Sequence, residues 1–477
     1  MDRKPATVVA GDDSGVDHDE PRPARARTRR DLTPDTRFWI GILSAVGLGA
    51  AVRFTYLFSA APTSVWGDGL DYHLSARRLA DGLGYTTALG EIGVELPAGL
   101  SGETAHHPPG WVTVLGAVTE LGGRSMRAHQ VTGLVIGLAV IVVAGLVGRR
   151  YAGRRVGVIA ALGAAVYPGF WVLDVQILSE PLGLLILGLL MLALADLWQR
   201  PSLGRAVLTG VILGALALVR SEELALLALA VAPLLLLNRR ITVRRRLVCV
   251  GAATLSAVVV IAPWTIYNLG RFDEPVVLST NLGGTLLSGN CPPSTYTGEL
   301  AGSFDLRCVV ATSLRQPDLD PSQADTVNRD AALDNVRDNL DHLPGTVLAR
   351  YGRLLGVFRP SQTVALDAEW LGSATWPVWV WIASFWVVTP LAALGSAALR
   401  RSGRFQWPLV APVVIMLLVT AAAFGDPRYH TIADLGIVVL AAVAVERMVR
   451  RGAGFPVAHV DSAQNVPSPA RTAPRLL

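Results

Sequence analysis

The sequence has few charged residues and almost no lysine. Only 17% of its 477 residues are charged, and Lys4 is the single lysine among 42 basic residues. In contrast, 51% of the residues are hydrophobic, and the mean hydropathy is +0.44. This composition is too apolar for an ordinary soluble chain of this length. The arginines lie in short segments between apolar blocks, so the net charge of +5 does not indicate a nucleic-acid partner.

The apolar residues form blocks of about 20, which is the length of helix that crosses ~30 Å of hydrocarbon. We therefore predict an all-α polytopic membrane protein with about ten transmembrane helices. The predicted spans are 38–60, 128–148, 156–173, 178–198, 204–220, 222–238, 246–267, 374–398, 407–424 and 431–448.

Arginine-rich and arginine-poor segments alternate along this series of spans. Because basic loops stay on the cytoplasmic side, the alternation predicts a protein of the plasma membrane with both termini in the cytoplasm. We expect disordered tails at 1–36 and 451–477, and one transmembrane domain over 37–450. Its two large external segments are 61–127 and 268–373.

The first external segment contains an apolar stretch, 109–121, that is too short to span comfortably. Counting it as a span would move the arginine clusters at 149–155 and 239–246 to the outside. We therefore predict a juxtamembrane helix there and a second one over Asp71 to Leu79. The other external segment holds Cys291 and Cys308, which we expect to form a disulfide if this segment lies outside the cell.

Two carboxylates and an aromatic residue lie at the start of the first external helix. Asp68 and Asp71 fit a helix cap with its capping-box acid, and they also fit a general base at the membrane surface. The two interpretations are compatible, since a helix start holds a carboxylate in place. Tyr72 beside them is a candidate substrate contact.

A histidine pair, His106 and His107, precedes the prolines that begin the next short helix. Adjacent residues rarely point at one ion, so no metal site is predicted, although a divalent cofactor is left open. The pair fits hydrogen bonding to substrate or phosphate, and it also fits simple packing at the interface.

Other polar residues lie in the short external turns. Glu180 suits the first turn of a helix and is a candidate substrate contact, whereas Asp174 lacks a structural explanation and is a candidate catalytic carboxylate. Arg220 and Arg428 run against the trend for positive charge to face the cytoplasm. A phosphate would explain them, because guanidinium presents several donors to its oxygens, although Arg220 also has glutamates beside it. His430 is a third candidate phosphate contact.

Taken in order, these motifs resemble those of the GT-C superfamily of membrane glycosyltransferases, in the branch of protein O-mannosyltransferases and the lipid A aminoarabinose transferase. The resemblance extends over roughly 38–448. It rests on Gly67-Asp68-Gly69-Leu70-Asp71-Tyr72, Leu79-Ala80-Asp81-Gly82-Leu83-Gly84-Tyr85, His107-Pro108-Pro109-Gly110, Ser179-Glu180-Pro181, Val219-Arg220-Ser221-Glu222, Pro263-Trp264 and Asp426-Pro427-Arg428-Tyr429.

The resemblance implies a GT-C-like helical bundle that uses a sugar on a polyprenyl phosphate at the outer face of the membrane, with Asp68 at the position of the base. Protein mannosyltransferases have a second acid directly after that base. This chain has Gly69 there, which argues against a protein acceptor and leaves Asp71 or Asp174 as second carboxylate. We expect the acceptor to be a glycan or lipid of the cell envelope, or, less in keeping with Gly69, a protein of the envelope. The alternative function is a transporter or flippase of a lipid-linked sugar, which would place its ionisable residues at mid-membrane.

Overall fold

A computed structural model describes residues 32–87, 102–316 and 318–452 of the protein. Nearly all regular structure in these ranges is helical. The α-helices are α1 (Pro34–Ser59), α2 (Gly67–Ala80), α3 (Pro109–Glu120), α4 (Met126–Ala152), α5 (Arg154–Val166), α6 (Pro168–Trp171), α7 (Glu180–Gln199), α8 (Leu203–Ala217), α9 (Ala232–Leu236), α10 (Val243–Leu269), α11 (Leu282–Gly289), α12 (Arg307–Arg315), α13 (Pro321–Asp338), α14 (Leu343–Leu354), α15 (Pro360–Trp370), α16 (Thr375–Arg401), α17 (Trp407–Ala422) and α18 (Thr431–Gly452).

Smaller elements join these helices. Short 3-10 helices cover Leu173–Val175, Ser221–Ala225 and Pro427–His430. Strands β1 (Thr86–Thr87) and β2 (Gly102–Glu103) form one antiparallel ladder. Most of the two predicted tails lies outside the described residues, and α1 begins at Pro34, where the Thr33 hydroxyl accepts a hydrogen bond from the Thr36 amide at 3.1 Å.

Five of the described helices, α1, α4, α7, α10 and α16, are long and apolar enough to cross a membrane. Helix α5 and the segment Pro168–Val175 meet at an angle of 52° and would make a sixth span if counted as one. Helices α8 and α17 are apolar but shorter. The protein is a multi-pass membrane protein, while the predicted count of about ten spans is not confirmed.

The predicted span 222–238 is wrong as a single helix. The structure has the 3-10 helix Ser221–Ala225, then a π-helical turn, Leu227–Val231, and then the short α9. Pro233 lies in the first turn of α9 and has no amide hydrogen to bond the turn before it, so the α-helical hydrogen-bond pattern is interrupted there. An apolar run of membrane length therefore does not make one straight helix here.

Helix α18 forms the centre of the bundle, because every residue from Thr431 to Ala444 is buried. It packs against α16, α5 and α17. Small residues allow the backbones to approach closely: a Cβ on Gly395 of α16 would lie 1.8 Å from the Leu440 carbonyl oxygen. The start of α18 is thereby fixed, and with it the turn Asp426 to His430 just before it.

The segment 268–373 folds over the end of the bundle near that turn. Cys291 and Cys308 form a disulfide with a Cα–Cα distance of 5.8 Å. The buried Arg350 guanidinium donates to the Gly289 carbonyl at 2.9 Å and to the Ala421 carbonyl at 2.5 Å. This arginine therefore links α14 to both α11 and α17, and so fixes the segment above α17.

Candidate active site

Asp68 lies in the first turn of α2, and its side chain does not cap that helix. The residue at the cap position is Trp66, which makes no side-chain capping hydrogen bond. Gly67 has a φ of +54° and lies against Trp370, so a side chain at this position would meet both strain and a clash. The capping interpretation of Asp68 is therefore wrong. Its carboxylate instead accepts a hydrogen bond from the Arg428 guanidinium at 2.9 Å.

Arg428 is placed by the turn Asp426 to His430. The Asp426 carboxylate accepts a hydrogen bond from the Arg428 amide at 2.7 Å and so caps the 3-10 helix. The Arg428 Nε lies 3.3 Å from Glu180 Oε1 without the geometry of a hydrogen bond. Both Nε and Nη1 are buried and lack a hydrogen-bond partner. Buried unpaired donors are unfavourable, so these two N–H groups are available for an anion.

Glu180 holds a second arginine beside the first. Its carboxylate, in a residue that is 4% exposed, lies 3.0 Å from Arg220 Nη1. Arg220 also contacts the Glu222 carboxylate at 2.6 Å, as its neighbouring glutamates had suggested. Two guanidinium groups thus share one buried carboxylate at the start of α7.

His107 lies between the two aspartates of α2. Its ring stacks on Tyr72 with a centroid separation of 4.3 Å, and its Nε2 is 3.7 Å from Asp71 and 3.9 Å from Asp68. Burial and the neighbouring His106 lower the pKa of His107 to about 4, so the ring is neutral at pH 7 and these contacts are not ion pairs. Its Nε2 is buried without a hydrogen-bond partner.

The two aspartates differ in their surroundings. Burial by itself would raise the pKa of Asp68, but the positive charge of Arg428 and the contacts with the histidines outweigh it and lower the pKa to about 2. Asp71 accepts a hydrogen bond from the Thr87 hydroxyl at 2.7 Å. Asp71 is therefore already partnered within the protein, whereas Asp68 depends on a single arginine.

Two cavities meet at this cluster. The first, of about 250 Å³, is lined by both arginines, Glu180 and Tyr72, and by apolar side chains that include Leu178, Val219 and Leu286. The second, of about 440 Å³, is lined by aromatic residues and by two carboxyl groups: Trp66, Phe304, Trp370, Phe424, Asp71 and Asp426. Asp68, His106, His107 and Arg428 line both. The proposed base thus faces one arginine-rich chamber and one aromatic chamber.

Two predicted site residues, Asp174 and His430, do not line either cavity. The Asp174 carboxylate accepts from the fully buried Arg53 at 2.6 Å, because the chain bends after Pro168 and turns this residue into the bundle. The His430 ring stacks on Phe385 at 4.0 Å and contacts the Asp434 carboxylate at 3.0 Å. The 3-10 turn directs its side chain into the core and that of Arg428 toward the site. We therefore do not retain the catalytic role for Asp174 or the phosphate contact for His430.

Three side chains of the cluster could hold a divalent cation. Asp68, His106 and His107 each offer one ligand atom, and these atoms lie within 4.8 Å of one another. Two imidazole nitrogens and one carboxylate oxygen are a ligand set that zinc accepts, and the unpartnered His107 Nε2 fits such a role. Against this, Arg428 already balances the charge of Asp68 at 2.9 Å.

Some functional residues were not among the predicted site residues. Asp426 positions Arg428, and Arg53 partners Asp174. The aromatic lining of the second cavity comes from four separate segments, around Trp66, Phe304, Trp370 and Phe424. An unusual arginine inside the first apolar block was a usable signal for Arg53, whereas no local pattern joins the four aromatic segments.

Comparison with known proteins supports the family resemblance. Residues 106–267 match the family described as dolichyl-phosphate-mannose-protein mannosyltransferase. The match covers less than half of the chain, and over this segment the chain is similar to that family. The matched segment includes the histidine pair, Glu180 and Arg220. Among curated protein sequences, nothing matches the chain.

Solved structures of two transferases are similar to this chain. One is the archaeal oligosaccharyltransferase AglB from Archaeoglobus fulgidus in complex with an inhibitory peptide and a dolichol-phosphate, with a TM-score of 0.52, 13% identity, and coverage of 88% of this chain and 52% of AglB. Another is ArnT from Cupriavidus metallidurans bound to undecaprenyl phosphate, with a TM-score of 0.39, 18% identity, and coverage of 86% of this chain and 78% of ArnT.

The likeness to AglB concerns the fold alone, because identity is only 13% and the chain spans about half of the AglB length. At the level of the fold, the predicted all-α membrane bundle is confirmed, and it is similar to the fold of AglB. Donor and acceptor of this chain have to be argued from its own site.

Proposed function

We propose that this protein transfers a sugar from a polyprenyl-phosphate donor to an acceptor hydroxyl at the external face of the plasma membrane. The observation that carries the proposal is the position of Asp68 between two cavities, bonded to an arginine that has two buried, unpartnered N–H groups. The predicted orientation, with both termini in the cytoplasm, is part of the proposal and rests on the distribution of arginine.

The smaller cavity suits the donor. Arg220 and Arg428 offer guanidinium donors to phosphate oxygens, and the apolar side chains around them suit the first part of a prenyl chain. His106, Tyr72 and the His107 ring, neutral at pH 7, line the same space and offer contacts to the sugar. Glu180 acts here as a positioning residue, since it holds both arginines.

The reaction we propose is a single displacement with inversion at the anomeric carbon. Asp68 takes the proton of the acceptor hydroxyl as its oxygen bonds to the anomeric carbon. The bond from that carbon to the phosphate oxygen breaks, and the electron pair leaves with the lipid phosphate. Arg428 and Arg220 meet the charge that develops on this leaving group. Asp71, which is already hydrogen-bonded to Thr87, lies 3.7 Å from the His107 ring and takes no proton in this step.

The low pKa of Asp68 in the free protein is a property of its contact with Arg428. A carboxylate with a pKa of about 2 is a weak base at neutral pH. An incoming donor phosphate would compete for the same guanidinium and so weaken its hold on the carboxylate. Burial would then raise the pKa of Asp68 toward the range in which it accepts a proton.

The larger cavity suits an acceptor without phosphate. Its lining is aromatic, and the carboxyl groups of Asp71 and Asp426 disfavour an anion. Among the described lining residues, the arginine present is Arg428, which also lines the smaller cavity and is assigned there to the donor phosphate. Uncharged sugars and peptides fit such a lining, because aromatic faces pack against their apolar surfaces.

The test is sugar transfer from radiolabelled polyprenyl-phosphate sugars into cell-envelope fractions. Membranes with the wild-type protein are compared with membranes that contain equal amounts of Asp68→Asn. Asp81→Asn is the matched control, because this carboxylate at the end of α2 is half-exposed and paired with Arg124. We expect Asp68→Asn to lower transfer by about 10²–10⁴-fold, and the control to match the wild type.

Other outcomes would redirect the proposal. Equal transfer by the wild type and Asp68→Asn would remove Asp68 as the base. If no donor were consumed while labelled lipid crossed the bilayer, the protein would be a flippase of a lipid-linked sugar and the transferase proposal would be wrong.

A further inference from the structure

A third cavity lies at the opposite end of the bundle from the candidate active site. Helix α7 connects the two places, since its first residue, Glu180, lines the first cavity and its last residue, Gln199, lines the third. Twenty residues of α-helix rise about 30 Å, so the two sites lie at the two surfaces of a membrane. The third cavity has a volume of about 470 Å³.

Arginine dominates the lining of this cavity. Arg149, Arg150, Arg240 and Arg404 come to it from three separate parts of the chain. Carboxylates balance two of them in part: Asp35 lies 2.9 Å from Arg149, and Asp196 lies 3.8 Å from Arg150.

The other two arginines are held by neutral groups. Arg240 donates to the Gln199 carbonyl at 2.9 Å, and Arg404 donates to the Tyr151 carbonyl at 3.3 Å. Neither forms an ion pair with a carboxylate in the described part of the chain. A carbonyl partner fixes the guanidinium without cancelling its charge, so both arginines keep a full positive charge that faces the cavity.

The cavity also has an aromatic wall. The rings of Trp198 and Phe405 stack with a centroid distance of 4.3 Å. Aromatic rings of this kind lie at the level of lipid headgroups.

We propose that this cavity binds a phosphate group, and that an anionic phospholipid of the adjacent leaflet supplies it. A basic pocket between membrane helices is a recognised kind of site for phospholipid headgroups. The aromatic wall and the position at the end of α4 and α7 favour a ligand with acyl chains over a small soluble phosphate. The site is independent of the proposed transferase chemistry at the other surface.

The experiment uses the purified full-length protein in neutral detergent and measures lipid binding by native mass spectrometry. The probes are phosphatidylglycerol, zwitterionic phosphatidylcholine, glycerol 3-phosphate and inorganic phosphate. The test variant is R240Q/R404Q. The matched control is R400Q/R401Q, which removes two exposed arginines from the end of α16 that do not line the cavity.

We expect the wild type and the control to prefer phosphatidylglycerol, and R240Q/R404Q to lose roughly thirtyfold in affinity for it. If both double variants lost affinity for phosphatidylglycerol equally, the attraction between surface charge and lipid would be unspecific and the proposal would be overturned. A wild type that bound phosphatidylglycerol and phosphatidylcholine equally well would also overturn it. Competition by glycerol 3-phosphate or inorganic phosphate at similar concentration would overturn the assignment to lipid. If R240Q/R404Q fails to fold, the single variants R240Q and R404Q provide the same comparison.

Discussion

The Arg428 guanidinium lies 2.9 Å from the Asp68 carboxylate, although 360 residues separate them in the chain. This contact joins the proposed phosphate site to the proposed base. While this contact is intact, Arg428 keeps the pKa of Asp68 low and the carboxylate is a weak base. A phosphate that binds the guanidinium would weaken the contact and make Asp68 more basic. Binding of the donor and activation of the acceptor would therefore be coupled through one side chain.

Arg428→Lys should weaken donor use while keeping the charge. A lysine offers a point charge, whereas the planar guanidinium can contact a carboxylate and a phosphate at the same time. We expect the KM for the donor to rise by about tenfold, with a lower kcat, in steady-state assays with a lipid-linked sugar. Arg307→Lys is the control, because Arg307 is 78% exposed and lines neither cavity. An unchanged KM in Arg428→Lys would contradict the phosphate role.

The pH dependence of transfer should depend on Arg428. Asp68 and His107 have pKa values of about 2 and about 4, and each is deprotonated above its pKa. The wild-type kcat/KM, which reports ionisations of the free enzyme, should therefore not fall as pH is lowered from about 7 to about 5. In Arg428→Gln the positive charge that lowers the pKa of Asp68 is absent, so burial raises this pKa. The residual kcat/KM should then fall at a higher pH than in the wild type. If kcat/KM fell at the same acidic pH in both proteins, Arg428 would not control the pKa of this base.

The Arg53–Asp174 pair should matter for stability instead of chemistry. Removing one partner of a buried ion pair leaves the other uncompensated, at about 3–5 kcal/mol. We expect Asp174→Ala to lower the melting temperature in detergent strongly, and Arg53→Met with Asp174→Leu to recover much of that loss. A stable Asp174→Asn protein with no transfer activity would restore the catalytic role that the sequence suggested.

Metal removal should leave transfer intact. Asp68, His106 and His107 are close enough to bind a divalent cation, but Arg428 already supplies the positive charge beside Asp68. We expect dialysis against a chelator to leave the transfer rate unchanged. If the rate were lost and then restored by added Zn²⁺ or Mn²⁺, the three side chains would be metal ligands.

The sequence by itself determined the class of the protein. Blocks of apolar residues are a local signal that the length of a bilayer imposes on any membrane helix, and they gave the multi-pass character correctly. The ordered motifs around Asp68, His107 and Arg428 led to the family resemblance, and a family model matches residues 106–267. Hydropathy failed where the α-helix is interrupted before Pro233, because it measures how apolar a run is and not whether its backbone can continue.

Only the tertiary structure decided which ionisable side chains share a site. Asp68, Glu180, Arg220 and Arg428 meet in one cluster. The sequence predicts Asp174 and His430 at the same membrane surface, but their side chains face the core. The direction of a side chain depends on how each helix is rotated and bent against its neighbours. Those neighbours come from segments hundreds of residues away, so no local pattern contains this information.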